Sequence, residues 1–257
     1  MNTLKKAGYL VGLPALLIFI WWISTQGSTN FFVPKPGTLV EKFVTVWTWD
    51  RIMTDVLPSL IRLVTGIALA IVLGTVLGIL VGTTRWLRSL LEPVLEFFRA
   101  IPPPVLIPVL MLLIGINDQM KIAVIVSGCI WPVLLNTIEG VRAVDGVLSD
   151  SARTFRISGF ARLRYLVLPS ASPQIMAGVR QCLSIGLILM VISEMFASSE
   201  GLGFTIVQFQ RSFAIPEMWS GIVVLGLIGV AMSFLFQWAE RRILGWYHGL
   251  REVEHAG

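Results

Sequence analysis

Between Asp150 and Pro173 the chain reads DSARTFRISGFARLRYLVLPSASP, its one long polar and basic stretch. Arg153, Arg156, Arg162 and Arg164 fall within it, and long apolar runs lie on either side. An apolar run of about 20 residues is what a helix needs to cross the hydrocarbon core of a bilayer. The pattern therefore describes helical spans in lipid around one loop left in water. Within the loop the residues predict a short helix from Val144 to Phe155 and a turn at Ile157-Ser158-Gly159. A second short helix is expected to stop at Leu168-Pro169, because proline cannot continue a helix without losing a hydrogen bond.

Composition agrees with a membrane solvent. Of the 257 residues 55% are hydrophobic and 14% charged, and the mean hydropathy is +0.81. A soluble domain of this size has a surface to keep wet and does not carry so few charges. The net charge of +5 is explained by the excess of Lys and Arg on cytoplasmic loops, so no nucleic-acid partner is expected. Cys129 and Cys182 fall in mid-span and read as small buried residues, with no disulfide or metal framework.

Taken in order, Lys5 and Lys6 precede a first span from about Ala7 to Ile23. A rigid turn at Pro34-Lys35-Pro36-Gly37 then leads to an amphipathic helix (Leu39, Phe43, Trp47) at the outer interface. The second span covers about Leu60 to Val81. Its Gly66, Ala70, Gly74, Gly78 and Gly82 recur every four residues, a stripe on one face that lets a neighbouring helix approach closely. Arg62 near its outer end is expected to snorkel to the interface. Arg85, Arg88 and Arg99 mark the next loop as cytoplasmic, with an amphipathic helix from Leu87 to Phe98.

Pro102, Pro103 and Pro104 break that helix, so the third span, Val105 to Ile114, re-enters the bilayer through an irregular segment. Backbone of that kind is tolerated only against protein or a water-filled cavity. The fourth span, Ile122 to Ile138, is expected to be interrupted at Trp131-Pro132, with Asn136, Thr137 and Glu139 capping its inner end. The fifth runs from about Gln174 to Ala197. An outer loop follows, formed by Gly201-Leu202-Gly203 and Arg211 to Trp219, and then the sixth span, Ile222 to about Ala239. About 13 of the 20 Lys and Arg fall on one side of this six-span arrangement, which places both termini in the cytoplasm. No internal repeat and no second domain is expected; residues 1–257 read as one transmembrane domain.

No catalytic signature is present. The two histidines, His248 and His255, lie in the polar tail, and no cysteine pair has metal-ligand spacing. None of the five lysines follows a glycine, so no phosphate-cradling loop exists in this chain. If ATP drives it, the ATPase is a separate polypeptide. Glu194, near the outer end of the fifth span, is costly in lipid and must face a cavity, a partner or the bundle interior. A structural hydrogen-bonding role fits it better than contact with an anion, which it would repel.

These features occur in a recognisable order. The polar loop resembles the cytoplasmic coupling loop of ABC-importer permeases. So do Phe31 to Phe43, Ser59-Leu60-Ile61-Arg62, Arg99-Ala100-Ile101-Pro102, Leu168-Pro169 through Pro173, Gly178 and Arg180, and Glu194 followed by Gly201-Leu202-Gly203-Phe204. The match extends from about Phe31 to Arg242 and is closest to the nitrate, sulfonate and taurine type of permease.

That resemblance implies an all-α membrane protein of about six transmembrane helices, with the type I importer architecture. It implies a multi-pass subunit of the cell inner membrane, itself without cofactor or metal, working with two ATPase chains that bind ATP and Mg. A second permease copy or homologue, the lipid bilayer and an external substrate-binding protein complete the partners. The solute would be a small anion of the nitrate, sulfonate or taurine kind, or a vitamin-precursor-like molecule.

The coupling loop, about residues 141–169, would use Asp150, Ser151, Ala152, Arg153, Arg156, Gly159, Leu168 and Pro169. Pathway or gate candidates are Arg99, Pro102, Pro103, Glu194, Gly201 and Gly203. One position departs from the pattern: the family's loop glycine falls on Arg156. Either the turn has moved to Ser158-Gly159, or this position is not left-handed here. The alternative from another class is a secondary transporter driven by an ion gradient, which would need intramembrane relays of which only Glu194 offers itself.

Overall fold

A computed structural model describes residues 3–28, 30–196 and 198–247, with side chains from residue 12 onward. Lys5, Lys6, Ala197, His248 and His255, singled out above, fall outside the described side chains.

Among the described residues ten helices follow one another: α1 (Thr3–Gln26), α2 (Pro36–Val46), α3 (Trp49–Thr83), α4 (Arg85–Ala100), α5 (Pro103–Ile114), α6 (Asp118–Arg142), α7 (Gly146–Thr154), α8 (Gly159–Phe196), α9 (Leu202–Arg211) and α10 (Ile215–Ile243). Of these, α3, α6, α8 and α10 are each long and apolar enough to cross a membrane. The α4–α5 pair, bent by 84°, passes the same test only when the two helices are taken together, as a broken span or a re-entrant loop. Helix α1 has 24 residues and is apolar from Gly12 to Gln26, so a six-span count requires it as well.

The bundle is built on α6, which lies between α3 and α8. The small-residue stripe of α3 faces α6 along its whole length. A methyl group on Gly66 would come within 2.6 Å of Ile125, on Gly74 within 2.9 Å of Val133, on Gly78 within 2.5 Å of Thr137, and on Gly82 within 3.0 Å of Val141. Each step of four residues along α3 is thus matched by four along α6, every glycine meeting a β-branched side chain. The two helices therefore run parallel and in register, and the close approach supplies the dispersion contacts that hold helices together in lipid.

Parallel neighbours require the intervening chain to come back across the bilayer. Helix α5, one 3₁₀ turn plus eight α-helical residues, reaches only about 20 Å, so the proline break and α4 must complete that return. On its other side α6 packs against the antiparallel α8, again through glycine. A Cβ on Gly178 would lie 2.6 Å from the Pro132 carbonyl, and one on Gly128 would strike Leu189 at 2.3 Å. Cys129 and Cys182 are free, buried thiols in this seam, and Cys129 Sγ donates to the Cys182 carbonyl at 3.3 Å.

Prolines end fewer helices than their chemistry alone implies. Pro132 lies inside a continuous α6, so the fourth span is not interrupted at Trp131-Pro132. The second loop helix does not stop at Leu168-Pro169 but runs on to Phe196, as the 38-residue α8. A five-residue π turn, Leu163–Val167, directly precedes Leu168-Pro169. The wider turn shifts the carbonyl that the proline ring would strike, and the helix continues. The same device recurs in α3, where the π turn Ile52–Val56 precedes Leu57-Pro58. Both sites read Val-Leu-Pro-Ser, at residues 56–59 and 167–170, a short local repetition that the sequence reading passed over.

Two further expectations change. Asn136 Nδ2 and Thr137 Oγ1 do not cap a helix end. They donate back to the carbonyls of Pro132 and Val133, and Thr137 is buried against Gly78. Glu139 pairs with Arg142 in the last turn of α6. The stretch after Gly201 is not a loop but α9, packed on α8 and α10. Helix α2 is pinned to α10 by Lys42 Nζ, 2.9 Å from Glu217 Oε1. That hydrogen bond to Glu217 raises the Lys42 pKa above its ordinary value. Trp47 closes the same contact by donating to Ser220 Oγ at 3.0 Å.

Candidate functional site

Two polar assemblies stand at opposite ends of α8. At the end assigned as outer, the first turn of α3 beyond Pro58 presents Ser59 and Arg62 toward α8. Arg62 is 1% exposed and does not snorkel. Its Nη1 donates to Glu194 Oε1 at 2.9 Å, its Nε to Asp118 Oδ1 at 2.8 Å and its Nη2 to Glu200 Oε1 at 2.7 Å. A guanidinium has five N–H donors fixed in one plane, enough to hold three carboxylates at once in a defined geometry. The reason for burial is therefore supply of partners: three elements each bring a carboxylate to one cation. Lys121, also buried, adds a second positive charge 3.5 Å from Asp118.

Glu194 itself is fully buried. Besides Arg62, it accepts the backbone N–H of Gly203 at 3.0 Å on Oε2 and lies 2.7 Å from Ser59 Oγ. Ser59 Oγ in turn accepts the N–H of Leu202 at 2.9 Å. The loop is wrapped so tightly round the carboxylate that only glycine fits. Gly201 has φ +109, and a Cβ there would lie 2.7 Å from the Glu194 carboxylate; one on Gly203 would meet the Val191 carbonyl at 2.5 Å. Glu194, Gly201 and Gly203 are thus one assembly.

The other gate candidates lie elsewhere. Arg99 pairs with Glu96 at 2.6 Å in the last turn of α4, Pro102 forms the break, and Pro103 packs on Gly128. Beside that break a groove of about 670 Å³ runs between α3 and α6, and Phe98, Ile101, Leu69, Leu73 and Trp131 are among its walls. Its lining contains no charged side chain.

At the inner end, α7 starts on Asp145, whose Oδ1 accepts the Leu148 N–H at 3.0 Å. Asp150 and Arg153 form an exposed pair at 3.3 Å, Ser151 is exposed, and Ala152 is buried beneath them. Arg162 Nη2 reaches back from α8 to Ser149 Oγ at 2.9 Å and ties the two helices together. The C-terminus of α7 is a Schellman motif. The N–H of Ile157 bonds the Ala152 carbonyl at 2.8 Å and that of Arg156 the Arg153 carbonyl at 2.9 Å, which places Arg156 at the left-handed position.

Its φ is +56, as is that of Gly159. Both halves of the expected alternative are answered: the position that carries arginine is left-handed, and a second left-handed residue follows three positions later. Left-handed backbone costs an L-residue about 1–2 kcal/mol that glycine avoids. Leu168 and Pro169 lie further along, within α8 and not at a helix end.

Sequence reasoning missed Ser59, Asp118, Lys121 and Glu200 as members of the outer assembly. The available signal was charge: several ionisable residues adjoin the predicted outer ends of apolar spans, and such groups need partners.

An all-helical bundle with several candidate spans and a polar helix–turn–helix at one end defines an integral membrane protein. The comparisons narrow that class. Residues 70–245 match the model of the family described as binding-protein-dependent transport system inner membrane component, and the chain belongs to that family. It is 30% identical over 246 residues to the putative aliphatic sulfonates transport permease of Bacillus subtilis, covering 94% of this chain and 89% of that one.

It is 28% identical over 244 residues to the taurine transport system permease of Escherichia coli, with 92% and 89% covered. The fold is also that of a chain of the MetNI methionine ABC transporter in an inward-facing conformation, with a TM-score of 0.63 at 19% identity over 74% of this chain and 94% of that one. The chain is an ABC-importer permease subunit, an inner-membrane component similar to the sulfonate and taurine permeases named above. Nothing in these findings supports the ion-gradient alternative.

Proposed function

We propose that this chain forms half of a translocation pathway and transmits ATP hydrolysis by a partner chain to an ionic latch at its outer end. One observation carries the reading. Helix α8 is continuous for 38 residues, with the Arg162–Ser149 tie at one end and Glu194, bonded to Arg62 and Gly203, at the other. A rigid helix moved at the docking end shifts its far end, and the Glu194 cluster is the group that would feel it.

In this reading both termini are cytoplasmic. Two ATPase chains bind ATP and Mg and dock on α7 and the first turn of α8. A second permease copy or homologue closes the groove between α3 and α6 into a pathway. An external binding protein selects the solute. The relatives' sulfonate and taurine names support a small anion of that kind, and the uncharged groove lining fits a pathway that leaves anion selection to the binding protein. Asp150, Ser151, Ala152, Arg153, Arg156 and Gly159 are the docking residues. Pro102 and Pro103 shape the pathway wall, and Gly201 and Gly203 hold the latch.

The test is reconstitution of the permease with the ATPase and binding protein of the same transporter. ATP-dependent uptake should require all three, and native mass spectrometry should show two permease chains per two ATPases. Uptake driven by an ion gradient without ATP would refute the proposal.

A further inference from the structure

We propose that Arg156 is a recognition element for the partner ATPase, its guanidinium pairing with a carboxylate on that chain. The inference rests on the reading that α7 and the start of α8 form the docking surface, and it goes beyond it by assigning one residue and one partner chemistry. Arg156 is a non-glycine residue held at φ +56, and glycine would relieve that strain. Strained residues of this kind cluster at functional sites, where a partner can gain from them.

The gain is not visible inside the chain. Arg156 is exposed and, among the described residues, its side chain makes no hydrogen bond or ion pair. The other three arginines of the loop are engaged: Arg153 with Asp150, Arg162 with Ser149, and Arg164 over the Tyr165 ring. Phe155, next to Arg156 in the chain, is 77% exposed, and Phe160, four positions on, is 73% exposed. Two bare rings in the same turn as one unpaired guanidinium fit a protein surface with an apolar hollow and a carboxylate at its rim.

Aromatic and basic residues also suit an anionic membrane surface. The observations favour the protein. Asp145 and Asp150, on the same short helix, would be repelled by anionic headgroups. A lipid surface accepts a basic residue at any nearby position, whereas a strained, single-position arginine makes sense for a partner with fixed geometry.

The experiment titrates the ATPase chain of the same transporter, purified separately, onto the full permease and its Arg156→Gly, Arg156→Ala and Arg156→Lys variants. Each is measured in detergent and in nanodiscs with and without anionic lipid. Arg156→Gly and Arg156→Ala should weaken ATPase binding about tenfold, the loss of one charge-assisted hydrogen bond, and flatten its salt dependence. Arg156→Lys should retain most of the affinity. The thermal midpoint of Arg156→Gly should equal or exceed that of the wild type.

Unaltered binding by Arg156→Gly would overturn this inference and leave the docking reading intact. Absence of binding by the wild-type chain would overturn the docking reading itself. A defect confined to anionic nanodiscs would make lipid the partner, and a lowered midpoint in Arg156→Gly would give the arginine a role inside the chain. Either result overturns the proposal.

Discussion

Arg62 Nη1 lies 2.9 Å from Glu194 Oε1, and neither side chain is exposed by more than 2%. The pair joins α3 to α8 across 132 residues of sequence. A buried ion pair contributes little against a well-packed apolar pair, but breaking it strands a charge. Glu194→Ala should therefore lower the stability of the permease by about 3 kcal/mol. Glu194→Gln, which keeps an acceptor for the Gly203 N–H, should cost less. Replacing Arg62 and Glu194 together with methionine should cost less than the two single losses added. Thermal unfolding in detergent reads the order. If Glu194 only holds the latch, uptake of every solute should fall alike; a changed solute preference in Glu194→Gln would show contact with the solute.

The glycine stripe gives a prediction with an internal control. A Cβ on Gly78 would meet Thr137 Cβ at 2.5 Å and the Leu134 carbonyl at 2.9 Å, and backbone cannot give way cheaply. Gly226 in α10 has nothing within 4 Å of the same position. Gly78→Ala should push α3 off α6 and reduce folded yield, while Gly226→Ala should leave yield equal or raise it, since alanine is the better helix former. Size-exclusion profiles of the two variants beside the wild type decide the matter.

Much of this fold could be read from sequence because its determinants are local or periodic. A four-residue glycine repeat announces a packing face whatever that face meets, and long apolar segments announce spans, four of them in helices long enough to cross a membrane. Arg62 could not be read the same way. Whether an arginine near a span end snorkels or is buried depends on Asp118, Glu194 and Glu200 converging on it, from 56, 132 and 138 residues away.

Leu168-Pro169 misled for a different reason. Proline predicts a stop, and only the π turn before it shows how the helix survives. At Arg156 the sequence identified the position but not the backbone sign, because a Schellman motif is defined by carbonyls and not by side chains.

A second non-glycine residue in the left-handed region offers a test of backbone strain away from the docking loop. Phe213, at the end of α9, has φ +56 in the same motif: its N–H bonds the Gln210 carbonyl and that of Ala214 the Phe209 carbonyl. The ring is 68% exposed, so little packing is lost with it. Phe213→Gly should raise stability by about 1 kcal/mol. Gly201→Ala, at φ +109 and against the Glu194 carboxylate, should lower it. Opposite shifts in midpoint are expected from two substitutions at positive φ.

The docking loop separates structural from functional loss. Asp150 and Arg153 form an i,i+3 pair with both side chains more than 70% exposed, and such pairs contribute little to stability. Asp150→Ala should therefore leave the permease folded, inserted and within about 0.5 kcal/mol of the wild type. Gly159 has open space around its Cβ position but a φ of +56. Gly159→Ala should cost about 1 kcal/mol through the backbone alone, and Gly159→Trp should add an indole projecting from the turn.

If the turn seats in the ATPase, Gly159→Ala should keep most ATPase binding while Gly159→Trp loses it, although both suffer the same backbone strain. Binding-protein-stimulated ATP hydrolysis and uptake, measured on reconstituted complexes, give the readout. Uptake at the wild-type rate in Gly159→Trp, with normal complex yield, would mean that the ATPase does not grip the permease at this turn.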